Sequence, residues 1–164
     1  MVEKIAHDAP VLVLGLGRFG AATAGELDKL GRDVLAVDAD PALVQKWSDR
    51  VRHTAVLDAR DMNALQQIGA ADFSVAVVAV GSSIEASVLI TTHLVDLKIP
   101  QIWAKAISEA HGKILTRIGA HRVIYPEREA GERVAHLVSG RMIDFIRFDD
   151  DFALVKMYPP KPIR

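Results

Sequence analysis

The stretch LGLGRFG, residues 14–20, contains three glycines with the spacing GxGxxG. This spacing lets a strand turn sharply into a helix and lets a phosphate group approach the backbone, so Gly15, Gly17 and Gly20 predict a phosphate-binding turn. Arg18 then falls at the start of the predicted helix, where a cation is disfavoured by about 0.3 to 1 kcal/mol because the helix N-terminus is already positive. The arginine therefore predicts a negatively charged group nearby.

Short apolar runs alternate with helical patterns along the rest of the chain. The runs are continuously apolar rather than alternating, which is typical of parallel strands covered on both faces. They lie at residues 11–15, 33–38, 53–58, 73–80, 101–106 and 121–125. A strand followed by a helix, six times over, predicts an α/β fold with a Rossmann-like, doubly wound parallel sheet of six strands.

Helix boundaries are marked by local signals. Asp40 before Pro41 predicts an N-cap and a first helical position, and Ser82 with Glu85 has the spacing of a capping box. Ser108 is expected to cap a further helix. Glycines are expected at three helix ends: Gly31, Gly69 and Gly119.

The last part of the chain has a different pattern. Residues 126–140 predict a helix with Val134, Leu137 and Val138 on one side. MIDFIRF and FALVKMY, separated by three aspartates at 149–151, predict a strand pair or arm, and the proline-rich end continues neither element. We therefore expect a nucleotide-binding domain over residues 1–140 and an arm over 141–164, without a second substrate-binding domain.

Composition narrows the class of protein. The 164 residues carry a formal net charge of −1, which leaves no basic surplus for a nucleic-acid partner. There is no cysteine, no signal-peptide pattern at the N-terminus and no apolar run near the roughly 20 residues that span a bilayer. We expect a soluble, cytoplasmic protein that acts at a membrane only through another chain.

Asp38 is the candidate ribose ligand. It lies 23 residues after Gly15, at the end of the second predicted strand, close to the spacing of about 20 residues expected for such a carboxylate. There it would accept hydrogen bonds from ribose hydroxyls and repel a 2′-phosphate, which argues against NADP. The alternative is an acid that only caps a helix or shapes a turn.

Ligands of open α/β sheets bind beyond the carboxyl ends of the strands. Lys105 is unusual there, since an unpaired ammonium inside a strand is costly; it either reaches a phosphate or extends to solvent or an ion pair. Phe19 is expected to pack in the core while its backbone amide faces the phosphates. The remaining candidates at these strand ends are Asp58, Ala59, Gly81, Ser82 and Glu127.

No catalytic group emerges from the motifs. The six histidines show no HxxxH pair, so solvated or core roles are favoured over metal binding. The serines at 82 and 83 lack the context of a nucleophile elbow. We expect a binding protein without an assignable general acid, base or nucleophile.

The motifs VLGLGRFG, VLAVDAD, AVLDAR, VAVGSSIEAS, IWAKA and LTRIGAHRVIYPERE together resemble the regulator of K+ conductance (RCK) domain, also called the TrkA N-terminal domain. The chain is most similar to the cytoplasmic regulatory subunits of Ktr-type potassium uptake systems. The resemblance implies dimers that assemble into a ring, with eight subunits expected, beneath a membrane potassium transporter or channel subunit. Members often continue into a smaller C-terminal lobe, which we expect to be absent from this sequence.

The resemblance also implies roles for the candidate residues. It implies that Asp38 holds the ribose, that Lys105 approaches the polyphosphate, and that Glu127 lies near the nucleotide at the dimer interface and helps to bind a divalent cation. The residues around the phosphates would be Gly15, Gly17, Arg18 and Phe19, in the turn that Gly20 completes, with Asp58 and Ala59 near the adenine.

Two classes of function follow. The first is a regulatory module that senses ATP and ADP, or alternatively NAD(H), and gates potassium transport. The second is a small NAD-dependent oxidoreductase, which the fold alone permits. A sensor attached to a cation/proton antiporter is a variant of the first.

Overall fold

The computed structural model describes residues 6–140, 144–147, 151–157 and 159. It divides the chain into two units, Met1–Ile124 and Tyr125–Arg164. Among the described residues, no helix has both the length and the apolar character needed to cross a membrane.

The first unit is built on a parallel sheet. Its strands are β1 (Val11–Leu14), β2 (Val34–Asp38), β3 (His53–Val56), β4 (Val75–Val78), β5 (Gln101–Lys105) and β6 (Arg122–Ile124). They are ordered β3-β2-β1-β4-β5-β6, and every neighbouring pair is parallel. The predicted six-stranded, doubly wound sheet is confirmed, with each strand one to four residues shorter than its apolar run.

Helices connect the strands as predicted. They are α1 (Arg18–Lys29), α2 (Pro41–Trp47), α3 (Met62–Gln67), α4 (Ile84–Asp96) and α5 (Glu109–Ile118), with a short 3-10 helix at Ala70–Asp72. The three predicted helix-ending glycines have φ values of 79°, 71° and 117°, a region that favours glycine: Gly31, Gly69 and Gly119.

Two of the three predicted N-caps are correct. The Asp40 carboxylate accepts a hydrogen bond from the Ala42 N–H at 2.9 Å, and the Ser108 hydroxyl accepts one from the His111 N–H at 3.1 Å. At α4 the prediction is wrong by one residue, because Ser83, not Ser82, accepts from the backbone at 3.2 Å. Either serine can cap a helix, but only Ser82 has a glutamate three residues on; the helix nevertheless begins at Ile84, which makes Ser83 the cap.

The centre of the sheet is the core. All residues of β1 and β4 are buried, whereas the edge strands β3 and β6 are partly exposed. Thus the expectation of strands covered on both faces holds only away from the edges. On one face α1 packs through Gly20, Ala21 and Ala24, which are buried and small. These small residues bring the helix N-terminus close to the sheet, which places the glycine-rich turn.

The second unit contains α6 (Pro126–Val138) and two antiparallel strands, β7 (Asp144–Arg147) and β8 (Ala153–Lys156). The expected helix and strand pair are present, but α6 packs against β7 and therefore groups with the hairpin. The division lies after Ile124, whereas the sequence placed it after residue 140. Residues 149–150 of the aspartate run, and 158 and 160–164 of the proline-rich end, lie outside the described residues.

Candidate functional site

The strand order of the sheet reverses at β1. The chain moves outward from β1 through β2 to β3, then crosses to β4 on the other side of β1 and continues to β5 and β6. Ligands of open α/β sheets bind where the order reverses in this way. The turn after β1 is held on both sides, because Gly15 N–H donates to the Val37 carbonyl at 2.8 Å and the Leu14 carbonyl accepts from Ala79 N–H at 2.8 Å.

The three glycines have different physical roles. Gly15 has φ +106°, and a Cβ atom there would lie 3.1 Å from the backbone of Val80. A Cβ on Gly20 would overlap the carbonyl oxygen of Gly15 and lie 2.9 Å from the Cβ of Ala79. At Gly17 a Cβ would meet nothing within 4 Å. Gly15 and Gly20 are therefore needed by the fold, whereas Gly17 leaves open space beside the turn.

The N-terminus of α1 has the features of an anion site. Gly17 is the N-cap and supplies no side-chain cap, and the first turn contains no acidic residue. Arg18, the first helical residue, is exposed, and within the described part of the chain no carboxylate forms a salt bridge with it. The side chain of Phe19 packs against the core, as predicted. The negative group that Arg18 predicts is therefore not provided by a described residue of this chain.

Asp38 lies at the end of β2 and contacts the glycine-rich turn directly. Its Oδ2 accepts a hydrogen bond from the Leu16 N–H at 2.7 Å, and its Oδ1 accepts one from the Asp40 N–H at 2.8 Å. The alternative interpretation of Asp38 as a turn acid is thus part of its role. Each carboxylate oxygen has two acceptor sites, so the bonds to the backbone leave capacity for ribose hydroxyls.

Asp58 and Ala59 follow β3, beside the end of β2. Asp58 forms a two-point ion pair with Arg60, in which Nη2 lies 2.9 Å from Oδ2 and Nε lies 3.0 Å from Oδ1. These hydrogen bonds hold the pKa of the Asp58 carboxyl below its ordinary value. Ala59 is buried. Sequence reasoning missed Arg60, whose two-residue spacing from Asp58 was the available signal.

Lys105 and Gly81 meet at the ends of β5 and β4. A Cβ on Gly81 would lie 3.1 Å from Nζ, 3.3 Å from Cε and 3.6 Å from Cδ of Lys105. The lysine side chain therefore lies along the Cα of Gly81, at the carboxyl edge of the sheet. The two candidates, 24 positions apart in the chain, belong to one place in the structure.

Residues 11–126, which contain all of these groups, match the family model of the TrkA-N domain. The chain belongs to the TrkA-N family. The resemblance stated from the motifs is therefore confirmed.

Relatives of this TrkA-N chain include potassium uptake proteins. It is 37% identical over 146 residues to the Ktr system potassium uptake protein A of Bacillus subtilis strain 168, and 34% identical over 146 residues to protein C of the same organism. Each alignment covers 88% of this chain and 66% of the relative. The chain thus spans slightly less than two thirds of the length of these relatives.

Solved structures share the fold at low sequence identity. The TrkA-N domain of the inner membrane protein ybaL of Escherichia coli superposes with a TM-score of 0.71 at 17% identity, covering 82% of this chain and 99% of that domain. GsuK bound to ADP gives 0.70 at 23% identity, covering 81% of this chain and 34% of GsuK. The GsuK channel bound to NAD superposes with a TM-score of 0.70 at 22% identity, covering 84% of this chain and 24% of that chain. These likenesses show the Rossmann-like fold.

Glu127 lies in the second unit, exposed in the first turn of α6. No group of three or more histidine, cysteine or acidic residues that could hold a metal ion occurs in the described ranges of the chain. The metal-binding role of Glu127 therefore stays a prediction.

The histidines with described contacts bond to the protein itself. His111 is buried between α5 and α4, where its Nδ1 accepts from the Ile107 N–H at 3.2 Å and its Nε2 lies 3.0 Å from the Ser87 hydroxyl. Burial lowers the pKa of His111 below its ordinary value. His121 Nδ1 accepts from the Ile102 N–H at 2.9 Å. These contacts are the structural roles that the sequence favoured.

Proposed function

We propose that this TrkA-N chain binds an adenine nucleotide at the carboxyl ends of β1 and β4, and that it acts as a regulatory module of potassium transport. The observation that carries the proposal is the exposed Arg18 at the uncapped N-terminus of α1. Nothing acidic in that first turn balances it, and Gly17 beside it leaves open space. A bound phosphate would supply the missing negative charge.

Three positive contributions favour a di- or triphosphate over a single phosphate. The N-terminus of α1 contributes roughly half a charge through its free N–H groups. The guanidinium of Arg18 adds a full charge with planar donors suited to phosphate oxygens. Lys105 lies at the same edge of the sheet, two strands away from β1. A polyphosphate is long enough to meet more than one of these groups.

The adenosine end would be held beside β2 and β3. Asp38 would accept hydrogen bonds from ribose hydroxyls and repel a 2′-phosphate, and the adenine would lie near Ala59 and the Asp58–Arg60 pair. GsuK has been solved with ADP and with NAD, two ligands that share an adenosine diphosphate group. We therefore propose ATP and ADP as the ligands, with NAD(H) as the alternative.

The names of the relatives support the biological role. The two Bacillus subtilis proteins are potassium uptake proteins, which favours regulation of potassium transport over an oxidoreductase or an antiporter sensor. We propose a membrane potassium transporter or channel subunit as the partner, contacted from the cytoplasmic side by a ring of dimers, eight subunits in all. A ligand shifts a conformational equilibrium only by its different affinities for two states, and a γ-phosphate that reaches Arg18 would provide that difference. In that ring Glu127 would help to bind a divalent cation.

Thermal unfolding with added ligands tests the proposal. ATP, ADP and NADH would each be added to freshly purified protein at concentrations from micromolar to millimolar, with adenosine as a phosphate-free control. We expect ATP and ADP to raise the melting temperature and adenosine to leave it unchanged. If NADH alone raises it, the ATP/ADP assignment is wrong; if no nucleotide does, the proposed site is wrong. Native mass spectrometry of the same sample would report the oligomer.

A further inference from the structure

We infer that Asp38 is a positioning residue for the phosphate-binding turn as well as a ribose ligand, so that one carboxylate joins the two ends of the nucleotide site. The inference rests on the proposed function and extends it. It starts from the two hydrogen bonds of the Asp38 carboxylate, to the N–H groups of Leu16 and Asp40.

The Leu16 N–H needs an acceptor that the sheet does not provide. The last bonds of β1 to its neighbours involve Leu14 and Gly15, which pair with Ala79 and Val37. The positive φ of Gly15 then turns the chain away from the sheet. Leu16 itself is 1% exposed, so water does not replace a missing partner. Asp38 Oδ2, at 2.7 Å, satisfies this donor, and the distance is that of a short, charge-assisted bond.

The second oxygen holds the carboxylate in one orientation. Oδ1 accepts from the Asp40 N–H at 2.8 Å, at the start of the turn that leads into α2. With both oxygens bound, the side chain of Asp38 cannot rotate to favour a ribose without breaking a bond to the backbone. Its remaining acceptor sites are thus presented to a ligand in a fixed direction, while its bond to Leu16 fixes the turn between Gly15 and Gly17.

A role limited to ribose makes a different prediction from a positioning role. If Asp38 contacted only the ribose, its loss would not weaken the binding of a ligand that lacks ribose hydroxyls, and removing a negative charge would strengthen the binding of a triphosphate. If Asp38 also positions the turn, its loss weakens the binding of such a ligand as well. The two interpretations therefore differ in the sign of the effect.

The test is isothermal titration of the full chain with ATP and with 2′,3′-dideoxy-ATP. Asp38→Ala is compared with the control Asp40→Ala. The control removes an equal charge two residues away, together with the hydrogen bond that the Asp40 carboxylate accepts from the Ala42 N–H at 2.9 Å. It leaves the hydrogen bond between Asp38 and the Leu16 N–H in place. We expect Asp38→Ala to lower the affinity for 2′,3′-dideoxy-ATP at least fivefold. The affinity of Asp40→Ala for this ligand should stay within twofold of that of the unsubstituted protein. Unchanged or tighter binding of 2′,3′-dideoxy-ATP to Asp38→Ala would overturn the inference.

Amide hydrogen exchange of the ligand-free protein, resolved to single residues, provides a second test that does not depend on nucleotide binding. We expect the Leu16 amide to be protected in the unsubstituted protein and in Asp40→Ala, and to exchange at least tenfold faster in Asp38→Ala. An unprotected Leu16 amide in the unsubstituted protein overturns the inference even if Asp38→Ala fails to fold. If the unsubstituted protein binds neither nucleotide, the proposed function fails and the ribose role of Asp38 fails with it, whereas this exchange measurement still decides whether Asp38 holds the turn.

Discussion

Replacing Arg18 by alanine is expected to raise the stability of the ligand-free protein while weakening its binding of ATP. Arg18 is the first residue of α1 and is exposed, and no carboxylate among the described residues forms a salt bridge with it. A cation at this end of a helix costs about 0.3 to 1 kcal/mol. For a chain of this size, removing that cost raises the melting temperature by about 1 to 4 °C.

The effect on ATP has the opposite sign. A charge-assisted hydrogen bond contributes about 1.5 to 3 kcal/mol, and the exposure of Arg18 favours the lower end of that range. Loss of about 1.5 kcal/mol weakens binding roughly tenfold. If Arg18 contacts a terminal phosphate, Arg18→Ala also narrows the difference in affinity between ATP and ADP. Thermal unfolding of the ligand-free protein and isothermal titration with both nucleotides measure the two effects separately.

Arg117→Ala is the matched control, because Arg117 is an exposed arginine in the last turn of α5, where a cation is favourable. Both variants gain the same helix propensity of alanine, so that contribution cancels in the comparison. Arg117→Ala should lower the stability relative to Arg18→Ala and leave both affinities unchanged. The reasoning is refuted if Arg18→Ala destabilises the protein as much as Arg117→Ala does, or if it binds ATP as tightly as the unsubstituted protein.

Three further predictions concern the turn, the lysine and the buried histidine. Gly20→Ala should lower the melting temperature strongly, because its Cβ overlaps a backbone carbonyl, whereas Gly17→Ala should fold normally and bind ATP more weakly; equal melting temperatures of the two variants would contradict this assignment. Gly81→Val should weaken ATP binding by displacing the side chain of Lys105, so it should have no further effect in a Lys105→Met background. If the losses of affinity measured by titration add up in the double variant, Gly81→Val does not act through Lys105. The free energy of unfolding, measured in urea at pH 7.5, 6.5 and 5.5, should decrease as the pH falls below about 6.5, with His111 contributing at most about 1.4 kcal/mol per pH unit. The reason is that the histidine takes up a proton in the unfolded chain more readily than when it is buried. His111→Gln should reduce this slope, and an unchanged slope would contradict the assignment to His111.

Several parts of the fold were predictable because they depend on nearest neighbours in the chain. Helix-ending glycines such as Gly31 reflect local backbone preference, and caps such as Asp40 reflect the reach of a side chain to an N–H two or three residues on. The cap of α4 shows the limit of such rules, since the spacing of Ser82 and Glu85 favoured Ser82 whereas the helix is capped by Ser83. The boundary between the two units could not be predicted from the sequence either, because it depends on the packing of α6 against β7.

The candidate site divides in the same way. The sequence by itself determined the six strand–helix units, the glycine-rich turn and the position of Arg18 at a helix N-terminus, because spacing and hydrophobic pattern are properties of a short segment. Only the tertiary structure decided that Asp38 bonds the Leu16 amide, and that Gly81 borders Lys105. These contacts join residues 22 and 24 positions apart, and they exist because β2 and β4 flank β1 while β5 lies beside β4. Hydrogen bonding between strands, not the order of residues along the chain, brings these groups together.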